Sequence, residues 1–181
     1  MTSIQLLTPD DVDRYAAHMQ EHARESGTDG DPIFMPYGED APFAPGPSME
    51  RRRTSWALAV GEPEWARCWG LIDDGVLVGH CEISSMFLVS ALHRVGLGMG
   101  LLRPYRSQGH GRALLETAIN FARGQPFLNW IDLGVFEGND AAIALYEHHG
   151  FVETGRIVDR FRIGDRHVAD ISMSLDLRRT G

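Results

Sequence analysis

The residues best able to do chemistry gather in one short stretch, Arg106-Ser107-Gln108-Gly109-His110-Gly111-Arg112. Gly109 and Gly111 carry no Cβ, so the backbone can turn tightly and approach a ligand closely. If a helix begins here, its first N–H groups are unpaired and its dipole is positive at that end. Together these features favour an anion, most often a phosphate. Arg103, Arg106 and Arg112 add positive charge at the same place. A plain strand-to-helix turn with no ligand is the competing reading of the turn alone. Two nucleotide signatures are missing. Gly96, Gly98 and Gly100 alternate, but none begins a G-x-G-x-x-G, and no G-x-x-x-x-G-K-[ST] occurs.

Such a turn needs a strand before it and a helix after it. An apolar run from Val95 to Leu102 predicts a strand at about 93–102, and an amphipathic run predicts a helix over 110–123. Leu114, Leu115, Ala118 and Ala122 are its buried stripe. Upstream, Ile4 to Leu7 reads as a strand, and Thr8-Pro9-Asp10 opens a helix carrying Val12, Tyr15, Ala16 and Met19. Residues 48–60 read as a second helix, with Ser48 as a cap, Trp56 and Ala59 facing the core, and Arg51-Arg52-Arg53 on a solvated face. Two strands, about 67–73 and 76–84, flank Asp73-Asp74-Gly75, a hairpin signal. Downstream come a strand at 129–136, a helix at 140–149 led by Asn139 and closed by Gly150, and two strands at 151–162 and 166–176 around Gly164-Asp165. This order predicts one domain over 1–181, of the α+β class, with a mixed sheet and helices on both faces.

Residues 26–48 break the pattern with five prolines, four glycines and the aromatics Phe34, Tyr37 and Phe43. A loop this long in a compact domain is usually functional or disordered. Its aromatics either form a lid or substrate wall, or pin the loop to the body.

The chain has 181 residues and 43% hydrophobic residues, enough for one real core. A net charge of −8 argues against nucleic acid or an anionic membrane as partner and is compatible with an amine. Cys68 and Cys81 are too far apart for a C-x-x-C and read as buried thiols of a reducing compartment. No basic-then-apolar leader and no stretch of about 18 apolar residues is present, so a cytoplasmic protein is expected. The eight histidines form no H-E-x-x-H, and no metal is expected.

The segment from Val95 to Phe151 resembles the core of the GCN5-related N-acetyltransferases. Their pyrophosphate motif, Q/R-x-x-G-x-G/A, is matched by Arg106, Gly109 and Gly111. A second block, N-x-x-A-x-x-x-Y-x-x-x-G-F, is matched by Asn139, Ala142, Tyr146, Gly150 and Phe151. The two blocks together at this spacing are specific; the first 60 residues match only by element order. Gly155-Arg156, Gly164-Asp165, Asp170-x-x-Met173 and the His93–Met99 segment resemble a bacterial branch acting on amino acids, peptides or related small amines.

The resemblance implies a central, mostly antiparallel, twisted sheet of about seven strands. It implies acetyl-CoA as co-substrate and a primary amine of a small molecule, amino acid or peptide as acceptor. The pantetheine arm would lie along the fourth strand at Met99, Gly100 and Leu101, like an added strand. The pyrophosphate would rest on the N–H groups of Ser107, Gln108, Gly109, His110, Gly111 and Arg112. Asn139 would bond the arm, cap its own helix, or do both. Tyr146 would protonate the departing CoA thiolate, unless it is only a core aromatic. Where a ribosomal-protein branch has a fifth-strand carboxylate, this chain has Gly134, which puts a ribosomal substrate in doubt. The candidate bases are Glu82 and His93, with Glu137 weaker, and a water relay would replace any of them. Direct transfer in a ternary complex is expected, because no cysteine sits in a nucleophile motif. Homodimers are common in the family. A non-catalytic acyl-CoA sensor, or a transferase using another acyl group, is the alternative.

Overall fold

The structure is a computed structural model that describes residues 1–38 and 41–178; two positions of the proline-rich loop and the last three residues of the chain lie outside it. Seven strands form one sheet: β1 (Ser3–Leu6), β2 (Ala66–Asp73), β3 (Val76–Ser85), β4 (Arg94–Leu101), β5 (Trp130–Phe136), β6 (Val152–Ile163) and β7 (Arg166–Asp176). Their spatial order is β1-β2-β3-β4-β5-β7-β6, and only the β4–β5 pair is parallel. Four α-helices complete the fold: α1 (Val12–Glu25), α2 (Gly46–Ala57), α3 (His110–Arg123) and α4 (Asp140–His148). The element order matches the sequence reading, with most ends shifted by a residue or two.

Local chemistry explains several boundaries. The β2–β3 hairpin turns at Asp74 (φ 45°) and Gly75 (φ 82°), the positive pair that a two-residue hairpin loop demands. The Asp11 carboxylate accepts hydrogen bonds from the Thr8 N–H (2.9 Å) and hydroxyl (3.0 Å), fixing the entry to α1. Gly150, at φ 88°, ends α4 in the left-handed conformation. At α2 the expectation fails in detail. Ser48 lies inside the helix, its hydroxyl donating to Pro45 O, and Ala59 lies beyond the helix and is exposed.

Strand alternation divides the sheet into two faces. One face carries Val95 and Leu97 of β4, Ile131, Leu133 and Val135 of β5, and Ile171, Met173 and Leu175 of β7. These pack with Leu114, Leu115, Ala118 and Ala122 of α3 and Tyr146 of α4 in the main core. Burying each such side chain contributes roughly 1.5–3 kcal/mol. Near β1 and β2 the opposite face is covered by α1 and α2 through Val12, Tyr15, Met19, Met49 and Trp56. From β4 to β7 it carries instead Gly96, Gly98, Gly100, Asp132, Gly134, Asp170, Ser172 and Ser174. Among the described residues no helix is long and apolar enough to cross a membrane.

Candidate functional site

The parallel pairing of β4 with β5 stops early. Arg94, Val95 and Gly96 pair with Trp130, Ile131 and Asp132, and no pairing is made beyond. The antiparallel β3–β4 ladder, by contrast, continues from Ser85/Val95 to Gly79/Leu101. β4 therefore presents a free edge from Leu97 onward, and a wedge opens between the two strands. Unpaired strand-edge amides and carbonyls are a template for any extended ligand.

A cavity of about 890 Å³ fills this wedge. Its wall includes Met99, Gly100 and Leu101 of β4, then Arg106, Ser107, Gly109, Gly111 and Arg112 of the following turn, and Asn139 and Tyr146 of the α4 segment. The turn has the expected strain: Ser107 sits at φ 59° and Gly109 at φ 84°. The first intrahelical bond of α3 runs from Ala113 N–H to Gly109 O (3.1 Å), so the N–H groups before it have no helical partner. Nothing lies within 4 Å of a Cβ built on Gly109, and the approach to the helix end is open. A ligand with an extended polar arm and a phosphate end fits this wall.

The arginines behave differently from the expectation. Arg106 donates to Leu101 O (2.9 Å), to Asp31 (2.6 Å) and to Glu25, with Phe34 under its guanidinium at 5.0 Å. Arg103 pairs with Asp29 (2.8 Å) and Asp31 (2.9 Å), and Arg112 with Glu116 (2.7 Å). Each positive charge is matched by a carboxylate: the proline-rich loop brings Asp29 and Asp31, the end of α1 brings Glu25, and α3 itself supplies Glu116. With these charges paired, what the turn has left to offer an anion is its backbone N–H groups, and Arg106 acts as a strut between loop and strand. Gln108 folds back onto Pro104 O (2.5 Å), and neither its side chain nor that of His110 reaches the cavity wall.

Asn139 occupies the N-cap position of α4 but makes no side-chain capping bond, which leaves its amide at the cavity wall. Tyr146 is buried, and desolvation holds its phenol above the ordinary value, so it stays protonated. Burial also pushes up the thiols of Cys68 and Cys81, which keeps both in the unreactive form.

On the far side of β4 lies an open groove of about 690 Å³, floored by Gly96, Gly98, Asp132, Gly134, Asp170, Ser172 and Ser174. Glu82, Leu97, Gly98 and Gly134 line both spaces, so the groove and the cavity meet at the mouth of the wedge. Glu82 Oε2 accepts hydrogen bonds from Trp56 Nε1 (2.8 Å) and Arg52 Nε (3.2 Å). Arg52 also lies over the Tyr15 ring at 4.8 Å, so it turns inward, unlike the solvated face expected of the arginine run. Asp132 is held by Arg94 (2.6 and 2.7 Å) and by the Ser174 hydroxyl (2.6 Å).

His93 is not at the site. It is exposed, precedes β4, and lines neither space; its carbonyl accepts from Asn129 and Trp130 N–H. Glu137 is exposed and pairs with Arg156 (2.5 Å).

Sequence reasoning missed a buried trio beneath the wedge. His18 Nε2 contacts His80 Nδ1 at 2.8 Å, and His22 stacks on His18 (5.9 Å between centroids) and on Phe34 (4.6 Å). Desolvation lowers His18 to about 4 and His22 to about 3, and lowers His80 as well. All three are neutral near pH 7. The i,i+4 spacing of His18 and His22 was a usable signal. Among the described residues no group of three His, Cys, Asp or Glu side chains could hold a metal ion. The loop contributes Asp31, Pro32, Phe34 and Met35 to the cavity wall, while Phe43 packs on the α1–α2 core. It is thus both wall and pin.

The model of the Acetyltransferase (GNAT) family matches residues 33–151. Over 86 residues the chain is 35% identical to N-alpha-acetyltransferase RimI of Mycobacterium tuberculosis, a match covering 48% of this chain and 52% of that protein. The chain thus spans about half the length of that curated relative. A GNAT-family acetyltransferase from Streptococcus pneumoniae superposes with a TM-score of 0.82 at 22% identity, covering 97% of this chain and 99% of that one. A Salmonella typhimurium protein solved with its cofactor acetyl-CoA superposes with a TM-score of 0.76 at 15% identity, covering 99% and 96%. At these identities the structural likeness concerns the fold.

Proposed function

The chain belongs to the Acetyltransferase (GNAT) family, and we propose that it is an N-acetyltransferase moving an acetyl group from acetyl-CoA directly to a primary amine. The observation carrying this reading is the open wedge. A free β4 edge, an anion-binding helix end, Asn139 and Tyr146 all line one cavity, and that cavity opens onto a polar groove. The acetyl-CoA held by the Salmonella relative supports the choice of co-substrate.

Acetyl-CoA supplies an activated acetyl thioester when bound. The N–H groups from Ser107 to Arg112 hold its pyrophosphate, and the β4 edge with the Asn139 amide holds its arm. A β4 N–H near Met99–Leu101 stabilises negative charge on the attacked carbonyl. Tyr146 gives its proton to the departing sulfur, a role suited to a phenol kept neutral by burial. Glu82, steadied by Arg52 and Trp56, keeps a carboxylate at the mouth of the wedge. The acid-lined groove and the N-alpha-acetyltransferase relative support an amino acid or peptide amine as acceptor. The buried, protonated thiols support direct transfer over an acyl-cysteine route.

The test is CoA release from acetyl-CoA across a panel of amino acids, free-amine peptides and polyamines. Amine-dependent release with a matching acetylated product is expected. Acetyl-CoA binding without release for any amine contradicts the enzyme reading and favours a sensor.

A further inference from the structure

Gly134 stands at the meeting of cavity and groove, on the fifth strand, with its missing side chain pointing into the groove. The space is not empty. A Cβ built at this position would lie 2.9 Å from Asp170 Oδ1 and 3.7 Å from Asp170 Cγ. Asp170 belongs to the neighbouring strand, β7, where it is paired with Phe136, two residues beyond Gly134 on the same face. Its carboxylate therefore leans diagonally across the β5–β7 ladder and lies over Gly134.

Three groove carboxylates can be compared. Asp132 is neutralised by a bidentate arginine and a serine hydroxyl. Glu82 has Oε2 engaged by Arg52 and Trp56. Asp170 is only partly buried, and among the described residues its carboxylate takes no hydrogen bond and no ion pair. Asp170 thus has acceptor capacity left for a cationic ligand. It also reaches the junction only because Gly134 has no side chain; any larger residue there would displace it.

We propose that Asp170, delivered across Gly134, is the carboxylate that binds the acceptor ammonium and accepts its proton. This rests on the acetyltransferase reading above. The acceptor R–NH3⁺ loses one proton to the Asp170 carboxylate. Its freed lone pair forms the N–C bond to the thioester carbonyl carbon, the C–S bond breaks, and the sulfur takes the Tyr146 proton. The second proton of the attacking nitrogen leaves to water, giving a neutral amide. Water then returns a proton to Tyr146 and removes the one on Asp170.

The test uses Asp170→Asn, which keeps the shape, and the swapped pair Gly134→Glu with Asp170→Ala, which moves the carboxylate to β5. Acetyl-CoA affinity is measured by calorimetry for every variant, as is binding of the panel amine with the highest kcat/KM to protein free of acetyl-CoA. D170N is expected to bind acetyl-CoA within about 3-fold of the parent, bind the amine roughly 10-fold more weakly, and lose about 100-fold or more in kcat, the usual scale of a general base. The swapped pair is expected to recover at least about 10-fold of that loss. A D170N protein with undiminished kcat and amine affinity overturns the role of Asp170 while leaving the acetyltransferase reading intact. A folded swapped pair no faster than Asp170→Ala alone also overturns it. An unsubstituted chain that acetylates no amine in the panel overturns both.

Discussion

The cavity that fills the wedge and the groove that opens from its mouth are built by different means. The β4–α3 wall of the cavity is a backbone device. Its strand edge, its turn and its helix end come from one run of chain, Leu97 to Arg112, completed by Asn139 and Tyr146. The groove is a side-chain device. Glu82, Asp132 and Asp170 come from β3, β5 and β7 and meet only after the sheet has formed. A backbone site tolerates many side chains but no added bulk at its glycines; a side-chain site depends on charge and on the elements that hold it.

The largest expected effect tests the backbone half. A Cβ at Gly111 would sit 3.4 Å from Leu101 Cδ1 and 3.7 Å from Leu145 Cδ2, ordinary contact distances to two side chains of the cavity wall, so Gly111→Val is expected to fold while adding bulk at that wall. Acetyl-CoA affinity measured by calorimetry is expected to fall by about 100-fold or more, the cost of a few kcal/mol of overpacking. Unchanged affinity would remove the helix end from the cofactor site. Next comes Tyr146→Phe, with kcat expected to drop by about 100-fold and acetyl-CoA affinity nearly unchanged. Equal turnover would return Tyr146 to a core role.

The smallest effect concerns the wall beneath the junction. Folded His18 titrates near 4 and His22 near 3, against an ordinary 6.5, because burial disfavours their charged forms. Below the unfolded value the unfolded chain binds protons that the folded chain refuses. Stability is therefore full above that value and declines as pH falls towards the folded values, by on the order of 3 kcal/mol for His18 alone. The Tm is expected to fall between pH 7 and pH 4.5, and His22→Asn to fall less over the same interval. An identical pH slope in that variant would show that His22 is not part of the penalty.

The same contrast explains what could be read from the chain. The α3 bounds, the strand before it, Asn139 and the Tyr146 spacing are local patterns, and they are where the sequence reading placed them. The arginines of the turn were misjudged because Glu25, Asp29 and Asp31 reach them from about 75 residues away. His93 was misjudged because it offers its carbonyl to Asn129 and Trp130 rather than its ring to the site. Arg52 looked like one of three solvated arginines, and nothing local shows that it turns in to meet Glu82. Asp170 was legible only as part of a tail motif. Its place over Gly134 follows from the β5–β7 register, which no periodicity reveals.

The central claim is that the cavity and the groove form one reaction chamber joined across β4. Gly98 tests it most directly, because it lines both spaces and a Cβ there meets nothing within 4 Å. CoA release and acetyl-CoA affinity should be measured together for Gly98→Val. Acetyl-CoA binding within about 3-fold of the parent and transfer slowed by about 100-fold are predicted, as expected when the reacting groups are held apart. Transfer at the parental rate with a bulky residue at the junction would contradict it.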